Sequence, residues 1–585
     1  MLQSLFFLVS FLSCLISLIL YPKTNESQSF IREAVFAYVL QLSIGSLFAF
    51  ILSFFSLPIN LISMSLVYIL ISIIIFTIIV NKKKLQRHHI DLYDNITLLL
   101  LVCFILFTIW RVFTFNLNLN YYSTDSAAHF SFAMDIVRTA KLPRMFFAPL
   151  YNALFIQLFS PIYPGIYAYK AFILAESLSA LISGMIFYSV LREHCSFKNI
   201  TKYSPIITLL YFAAWPLYNY TVGGFVYWGI SVTLILYGLH LLFLFQKRPD
   251  KYKALLIILI INFFSISMCY MLFIPYIAIT YSLVLFFLFF KKLKEFYYTK
   301  KKLLIGVILI TLFLCFGIFH LAFFIYFKGN IQSLFSAVSI EGGILKNIYR
   351  DFTFFIPFIV YNTIKTIKNK TINIWVILYN SYFVLVLGSL GLCLLGIIST
   401  YYYYKLYFLL WALSWYITLD SFDSILKEIP YFIQGYITML SFIFIFTFTP
   451  IEDIMLERNL IEYTTPEFPI YSYMGSYLKS PDTSIYNDDY WEVIEYVSDN
   501  ISPIPLCGDK HNYMKWYAPI TGYNYIYHES DEVFKELFID KNYTDSEKFA
   551  FLKSSSYYDT FKIRLDQKYT PVFENDCAVI YTIKK

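Results

Sequence analysis

The sequence predicts an all-α polytopic membrane protein of about 13–14 transmembrane helices, with a small C-terminal α/β soluble domain. Three observations carry that reading. Of the 585 residues, 59% are hydrophobic and only 14% charged, against about 25% charged in soluble domains. Apolar runs of spanning length, about 20 residues, recur through the first 449 residues. The charge is also split along the chain: residues 450–585 hold 13 Lys and Arg against 23 Asp and Glu, a net of −10, leaving 32 basic and 15 acidic residues, a net of +17, before them. Disordered, collagen-like and coiled-coil classes are excluded, because apolar runs dominate and neither a glycine period nor a sustained heptad is present.

In order, the apolar runs fall near 2–20, 35–57, 60–80, 95–115, 166–191, 203–219, 225–245, 254–271, 273–290, 303–327, 373–398, 402–419 and 431–449. The first lacks a positively charged start and a small-residue cleavage site, so it reads as a retained span. Lys82-Lys83-Lys84 with Arg87, Lys247-Arg248 with Lys251, and the lysines around 291–302 mark cytoplasmic loops. That basic excess is a topology signal and implies no nucleic-acid partner. On this frame the N-terminus is outside and the segment 116–165 is extracytoplasmic. Thirteen crossings leave the acidic tail inside; a further crossing at 352–364, followed by Lys365, Lys368 and Lys370, puts it outside, which is the arrangement expected.

The domain boundaries are therefore 1–449 for the transmembrane domain and 450–585 for an acidic, extracytoplasmic soluble domain. In the latter, Asn487-Asp488-Asp489 caps a helical pattern through Val497, and 504–506 and 577–582 read as strands. Six of the eight cysteines lie in or beside apolar runs and read as small hydrophobes. Cys507 and Cys577, in the tail, are the pair that an oxidising compartment would allow to bond.

The stretch richest in chemistry is Thr124-Asp125-Ser126-Ala127-Ala128-His129-Phe130, continuing to Lys141-Leu142-Pro143. Residues 125–140 read as a helix lying in the membrane interface, capped by Thr124 and ended before Pro143. Asp125 and His129 share one helical face; Ser131, Asp135 and Arg138 share another, suited to lipid headgroups. A carboxylate beside an imidazole suits removal of a proton from a hydroxyl. The same pair also suits a divalent ion such as Mg or Mn, or a plain helix cap beside a surface histidine.

An acidic residue opening an interfacial helix in the first large external loop, followed by His129-Phe130 and closed by Lys141-Leu142-Pro143, resembles the integral-membrane GT-C glycosyltransferases. The resemblance extends to the Leu57-Pro58-Ile59-Asn60 turn and to Trp516-Tyr517-Ala518-Pro519-Ile520-Thr521-Gly522 in the tail. It implies a polyprenyl-phosphate sugar donor, a glycan, lipid or protein acceptor at the cell surface, and inversion of the anomeric centre. It also implies Asp125 as catalytic base with His129 its neighbour, in cell-envelope polysaccharide biosynthesis. The Tyr-Pro-Pro-Gly-type segment of that superfamily is reduced here to Tyr163-Pro164-Gly165, and Asn152 stands where a more characteristic polar residue is expected.

A leaving phosphate calls for cations on the outer side. The candidates are Arg111, Arg138, Lys141, Arg144, Lys346 and Arg350. Within the spans, Glu176, Lys170, His240 and His320 must face protein or a cavity; Glu176 is the candidate for substrate contact or for pairing with Lys170. Two rival classes fit the same chain. A transporter or lipid-linked glycan flippase would bring paired repeats with broken helices, and a polysaccharide polymerase or ligase would bring an arginine-rich external loop.

Overall fold

The computed structural model describes residues 1–21, 27–121, 125–142, 149–214, 226–289, 355–369, 371–395, 403, 405–428, 487–500, 504–509, 511–523, 525–527 and 547–583. In hydrocarbon a backbone has to bond to itself, so the Ile-, Leu- and Phe-rich runs become helices whatever their β-propensity. They are α1 (Leu2–Leu20), α2 (Phe30–Phe54), α3 (Leu61–Lys82) and α4 (Leu92–Phe113). Two short helices, α5 (Asp125–Thr139) and α6 (Leu150–Phe159), precede α7 (Ala168–His194), α8 (Ile200–Ala214), α9 (Val226–Lys247), α10 (Tyr252–Cys269) and α11 (Met271–Phe289). Then come α12 (Ile356–Asn369), α13 (Ile374–Leu394) and α14 (Tyr407–Glu428).

Among the described residues nine helices, α1–α4, α7, α9–α11 and α13, are long and apolar enough to cross a membrane. The chain is a multi-pass membrane protein. The expected spans at 303–327 and 431–449 lie outside the described residues. At the proposed additional crossing, α12 has 14 residues, which reach about 21 Å. It runs along α14, with Phe355 edge-on to Trp411 and Trp415 and Asn362 donating to the Ile417 carbonyl at 3.3 Å.

One end of the bundle is closed by a knot of buried charge. Asp94 of α4 is fully buried and accepts from the Ser29 hydroxyl, from Arg32 Nε at 3.1 Å and from the Tyr188 hydroxyl at 2.6 Å. Arg32 also pairs with Glu193, and Arg192 donates to Asp91 at 2.8 Å. Two short parallel strands, β1 (Gln28–Ser29) and β2 (His88–His89), lie at the same end. So do the Lys247 ammonium, which donates to the Glu193 carbonyl at 2.8 Å, and Asn373, which donates to Asp420 at 2.9 Å. The start of α13, the end of α7 and the basic stretches after α3 and α9 thus share this end.

The tail forms a five-stranded mixed sheet of β3 (Leu506–Gly508), β4 (Tyr525–Tyr527), β5 (Lys548–Leu552), β6 (Tyr569–Glu574) and β7 (Ala578–Ile583), in the order β4-β3-β5-β7-β6. Its helices are α15 (Asp488–Ser498), α16 (His511–Thr521) and α17 (Tyr558–Lys568). Asn487 caps α15 as expected, accepting from the Tyr490 amide at 3.0 Å. The alternation of strand side chains divides the sheet into two faces. Cys507, Phe549, Phe551, Val579 and Tyr581 pack with Tyr558, Phe561 and Leu565 of α17 in a core of their own. Leu506, Ala550, Leu552, Ala578 and Ile580 belong instead to the core that also holds α15, α16 and the membrane helices. Cys507 and Cys577 are free thiols, because β5 separates β3 from β7.

Removing one partner of a buried ion pair strands the others. Asp94→Ala is therefore expected to destabilise the detergent-solubilised protein by about 3–5 kcal/mol, read as a lower thermal midpoint. Asp91 adds a pH signature. Burial pushes its carboxyl up, but Arg192, the Tyr93 amide and Arg32 outweigh that and hold it below its usual value. Its contribution is complete above the ordinary carboxylate range of about pH 4 and is lost as pH falls through the lowered folded value. The midpoint difference between the parent and Asp91→Asn should accordingly shrink in acid.

Candidate active site

α4 carries the chain 22 residues away from the charge knot, about 33 Å of helix. At its far end Asn120 donates to the Val112 carbonyl at 2.8 Å and Tyr121 packs on Phe113 at 5.0 Å. α5 begins just beyond, at Asp125; its cap Thr124 lies outside the described residues. The other end of α5 is tied to the loop between α2 and α3. Ala140 takes a φ of +52° and its carbonyl accepts from the Ile59 amide at 2.7 Å, while Asn60 caps α3 with 3.0 Å bonds from the Ile62 and Ser63 amides.

The expected interfacial helix is covered by protein along one face, while Asp135, Arg138 and Thr139 remain exposed. α5 packs against α6 on one side and α16 of the tail on another, with Ala127, Phe130, Ala133 and Ile136 fully buried. Trp516 of α16 stacks on Tyr121 at 5.3 Å and 20° and lies 5.7 Å from Phe130. Arg138, expected to meet lipid headgroups or phosphate, donates to the Pro519 carbonyl at 2.7 Å. Gly522, at φ +84°, closes α16 against that guanidinium: a Cβ there would stand 3.4 Å from Arg138 Nη2. A second contact seats the tail on the start of α7, where Trp491 stacks on Tyr169 at 5.3 Å and Glu495 accepts from the Tyr167 hydroxyl at 2.9 Å.

His129 is buried and Asp125 half-buried on α5. Lys405, at the start of the α14 segment, interacts electrostatically with Asp125. Its side chain is only 3% exposed, with the ammonium 5.4 Å from the centre of the Tyr270 ring. The sequence reading missed Lys405, although its signal is present: a single lysine after the Tyr401–Tyr404 run, at the end of the bundle away from the basic loops. Burying an ammonium is costly unless a ring face or an opposite charge offsets it; here the Tyr270 ring does so, and the charge of Asp125 acts in the same direction.

Glu176 lies on α7, fully buried, and accepts from the Tyr121 hydroxyl at 2.5 Å. Burial and the adjacent Glu176 carboxylate push the Tyr121 phenol well above its usual value, so it stays a donor. The expected pairing of Glu176 with Lys170 is not made. Six residues apart on a helix they face different ways, and Lys170 sits over the Tyr167 ring at 5.4 Å. Arg111 sits over Trp110 at 5.7 Å and Lys141 is exposed. Arg144, Lys346, Arg350 and His320 lie outside the described residues. His240 belongs to the opposite end, stacked on Phe36 at 3.8 Å and bonded to His194 at 2.9 Å.

Among the described residues no three His, Cys, Asp or Glu side chains come together; Asp125 and His129 supply two possible donors, and the charge of Lys405 acts on Asp125.

No protein-family model matches the sequence, and no curated protein matches it. Among solved structures the chain is similar to ArnT from Cupriavidus metallidurans bound to undecaprenyl phosphate, at 11% identity and a TM-score of 0.45, over 83% of this chain and 97% of that one. The apo state of ArnT gives a TM-score of 0.48 at the same identity and coverage. The Archaeoglobus fulgidus oligosaccharyltransferase in complex with Zn and sulfate gives 0.41 at 11% identity, over 83% of this chain and 73% of that one. Likenesses of this size carry no functional argument, so the chain's own residues have to supply it.

Docking of the tail onto α5 depends on one large ring and one guanidinium. Trp516→Ala is expected to weaken it by about 3 kcal/mol, read as faster hydrogen exchange in both α5 and α16. Arg138→Ala should act in the same direction and more weakly. Unchanged exchange in α5 for both variants would contradict the docking role.

Proposed function

We propose that the chain is a membrane glycosyltransferase of GT-C type. It moves a sugar from a polyprenyl-phosphate donor, embedded among the membrane lipids, to a cell-surface glycan, lipid or protein acceptor. The observation that carries this reading is that Asp125, half-buried on the same helix as the buried His129, feels the charge of the buried Lys405. The resemblance of the Asp125 segment to that superfamily supports it.

Asp125 takes the proton of the acceptor hydroxyl as the acceptor oxygen bonds to the anomeric carbon. The bond from that carbon to the phosphate oxygen breaks, and polyprenyl phosphate leaves with the electron pair. One displacement on the face opposite the leaving group inverts the centre. Lys405 supplies positive charge beside the base, where negative charge gathers on the departing phosphate. His129, four residues on from Asp125 along α5, orients the carboxylate. The basic stretches after α3 and α9 lie at the charge-knot end, and the positive-inside rule makes that end cytoplasmic. The site and the tail then face the extracytoplasmic side.

Asp125→Asn is expected to lower sugar transfer at least 10²-fold at a temperature well below the variant's own thermal midpoint, measured with a lipid-linked sugar in reconstituted membranes. Lys405→Met should lower transfer as well. Full activity of Asp125→Asn would remove Asp125 from the role of base. Movement of intact lipid-linked sugar across sealed vesicles, with no glycosylated product, would overturn the enzyme reading in favour of a flippase.

A further inference from the structure

α6 and α7 hold buried polar groups that the displacement chemistry leaves unused. Asn152 of α6 is fully buried, and neither its amide nitrogen nor its carbonyl oxygen has a partner. Among the described residues it is the one side chain with two such atoms. Glu176 of α7 is also fully buried; Tyr121 holds one of its oxygens, and the other, Oε1, is unpartnered. The two helices pack against each other, and α6 packs as well against α5, which begins at Asp125. The neighbouring Tyr151 fixes the depth of α6, since its hydroxyl donates to the Leu42 carbonyl and meets Ser46, both midway along α2.

A buried amide left unsatisfied is a standing penalty that folding alone would remove by placing an apolar residue there. The lone hydroxyls in the same bundle are a different matter, because serine and threonine can turn to a carbonyl of their own helix. Asn380 of α13 takes the same route, donating to the Val376 carbonyl one turn back at 2.8 Å, but Asn152 makes no such bond. The unpaired set is an NH2 donor, a carbonyl acceptor and a carboxylate acceptor. Hydroxyls, which donate and accept at once, match it; an apolar chain matches none of it.

We infer that Asn152 and Glu176 form the subsite that binds hydroxyl groups of the sugar on the lipid-linked donor. This rests on the glycosyltransferase reading and extends it: Asp125 and Lys405 serve the bond being exchanged, whereas Asn152 and Glu176 select what is transferred. Tyr121 places the Glu176 carboxylate, and Trp516 backs Tyr121, so the tail reaches the subsite through one stacked pair.

The test uses the full-length protein in nanodiscs and four probes: polyprenyl phosphate alone and the same lipid phosphate bearing glucose, mannose or galactose. The parent should bind at least one sugar-bearing form more tightly than the bare lipid. In Asn152→Leu that advantage should fall at least about tenfold, with affinity for the bare lipid within about twofold of the parent. Its thermal midpoint without ligand should hold or rise, because an apolar side chain of similar size replaces an unpaired amide. Glu176→Gln, which keeps the bond from Tyr121, should change the ranking of the three sugars. Equal loss of all four probes in Asn152→Leu, or a retained advantage for the sugar-bearing form, would overturn the subsite and leave the glycosyltransferase reading standing. Failure of the parent to bind any probe would overturn both.

Discussion

A series of contacts runs from α7 to the tail, and the arrangement of the end that carries Asp125 depends on it. Glu176 accepts from Tyr121, Tyr121 stacks on Trp516, and Trp516 lies against Phe130 of α5. Each step has a physical reason. A carboxylate in a membrane helix needs a donor, a phenol held by that carboxylate presents its ring outward, and an indole covers the ring. The result is that α5 is clamped between a membrane helix pair and a soluble domain. An interfacial helix floating on lipid would place Asp125 only to within its own motion. Here the neighbours of Phe130 place it.

The two ends of the bundle use charge differently. At the knot, Arg32, Arg192, Asp91, Asp94 and Glu193 satisfy one another, and polar hydrogen bonds from Ser29 and Tyr188 complete the shell. That is a structural use of ionisable groups, which seals helix ends. At the far end the groups are sparse and less completely matched. One buried ammonium is favoured by the charge of a half-buried carboxylate, and a fully buried amide has no partner at all. Incomplete satisfaction in an otherwise well-packed core is where a polar ligand gains the most from binding.

The tail illustrates how a small domain joins a membrane protein without a separate interface. The strands alternate, so the sheet has two apolar faces, and α17 covers only one of them. The other, under α15 and α16, is completed by the membrane part and shares its core. This places the acidic tail at the end that carries Asp125, a placement that counting crossings alone left to the parity of one short segment.

Composition and periodicity determined the solvent of this chain, the helical character of its spans, the split into a basic membrane part and an acidic tail, and the cap at Asn487. These are local properties, set by transfer of side chains into hydrocarbon and by hydrogen bonds within a few residues. Asp125 and His129 were legible for the same reason, being one helical turn apart. Lys405 was not, because 280 residues separate it from Asp125 and only packing brings them together. Nor was the engagement of Arg138 with Pro519, or of Glu176 with Tyr121 in place of Lys170. Which charges meet depends on which helix faces turn toward one another, and that is decided by the packing of large side chains from distant segments, which no local pattern in the sequence encodes.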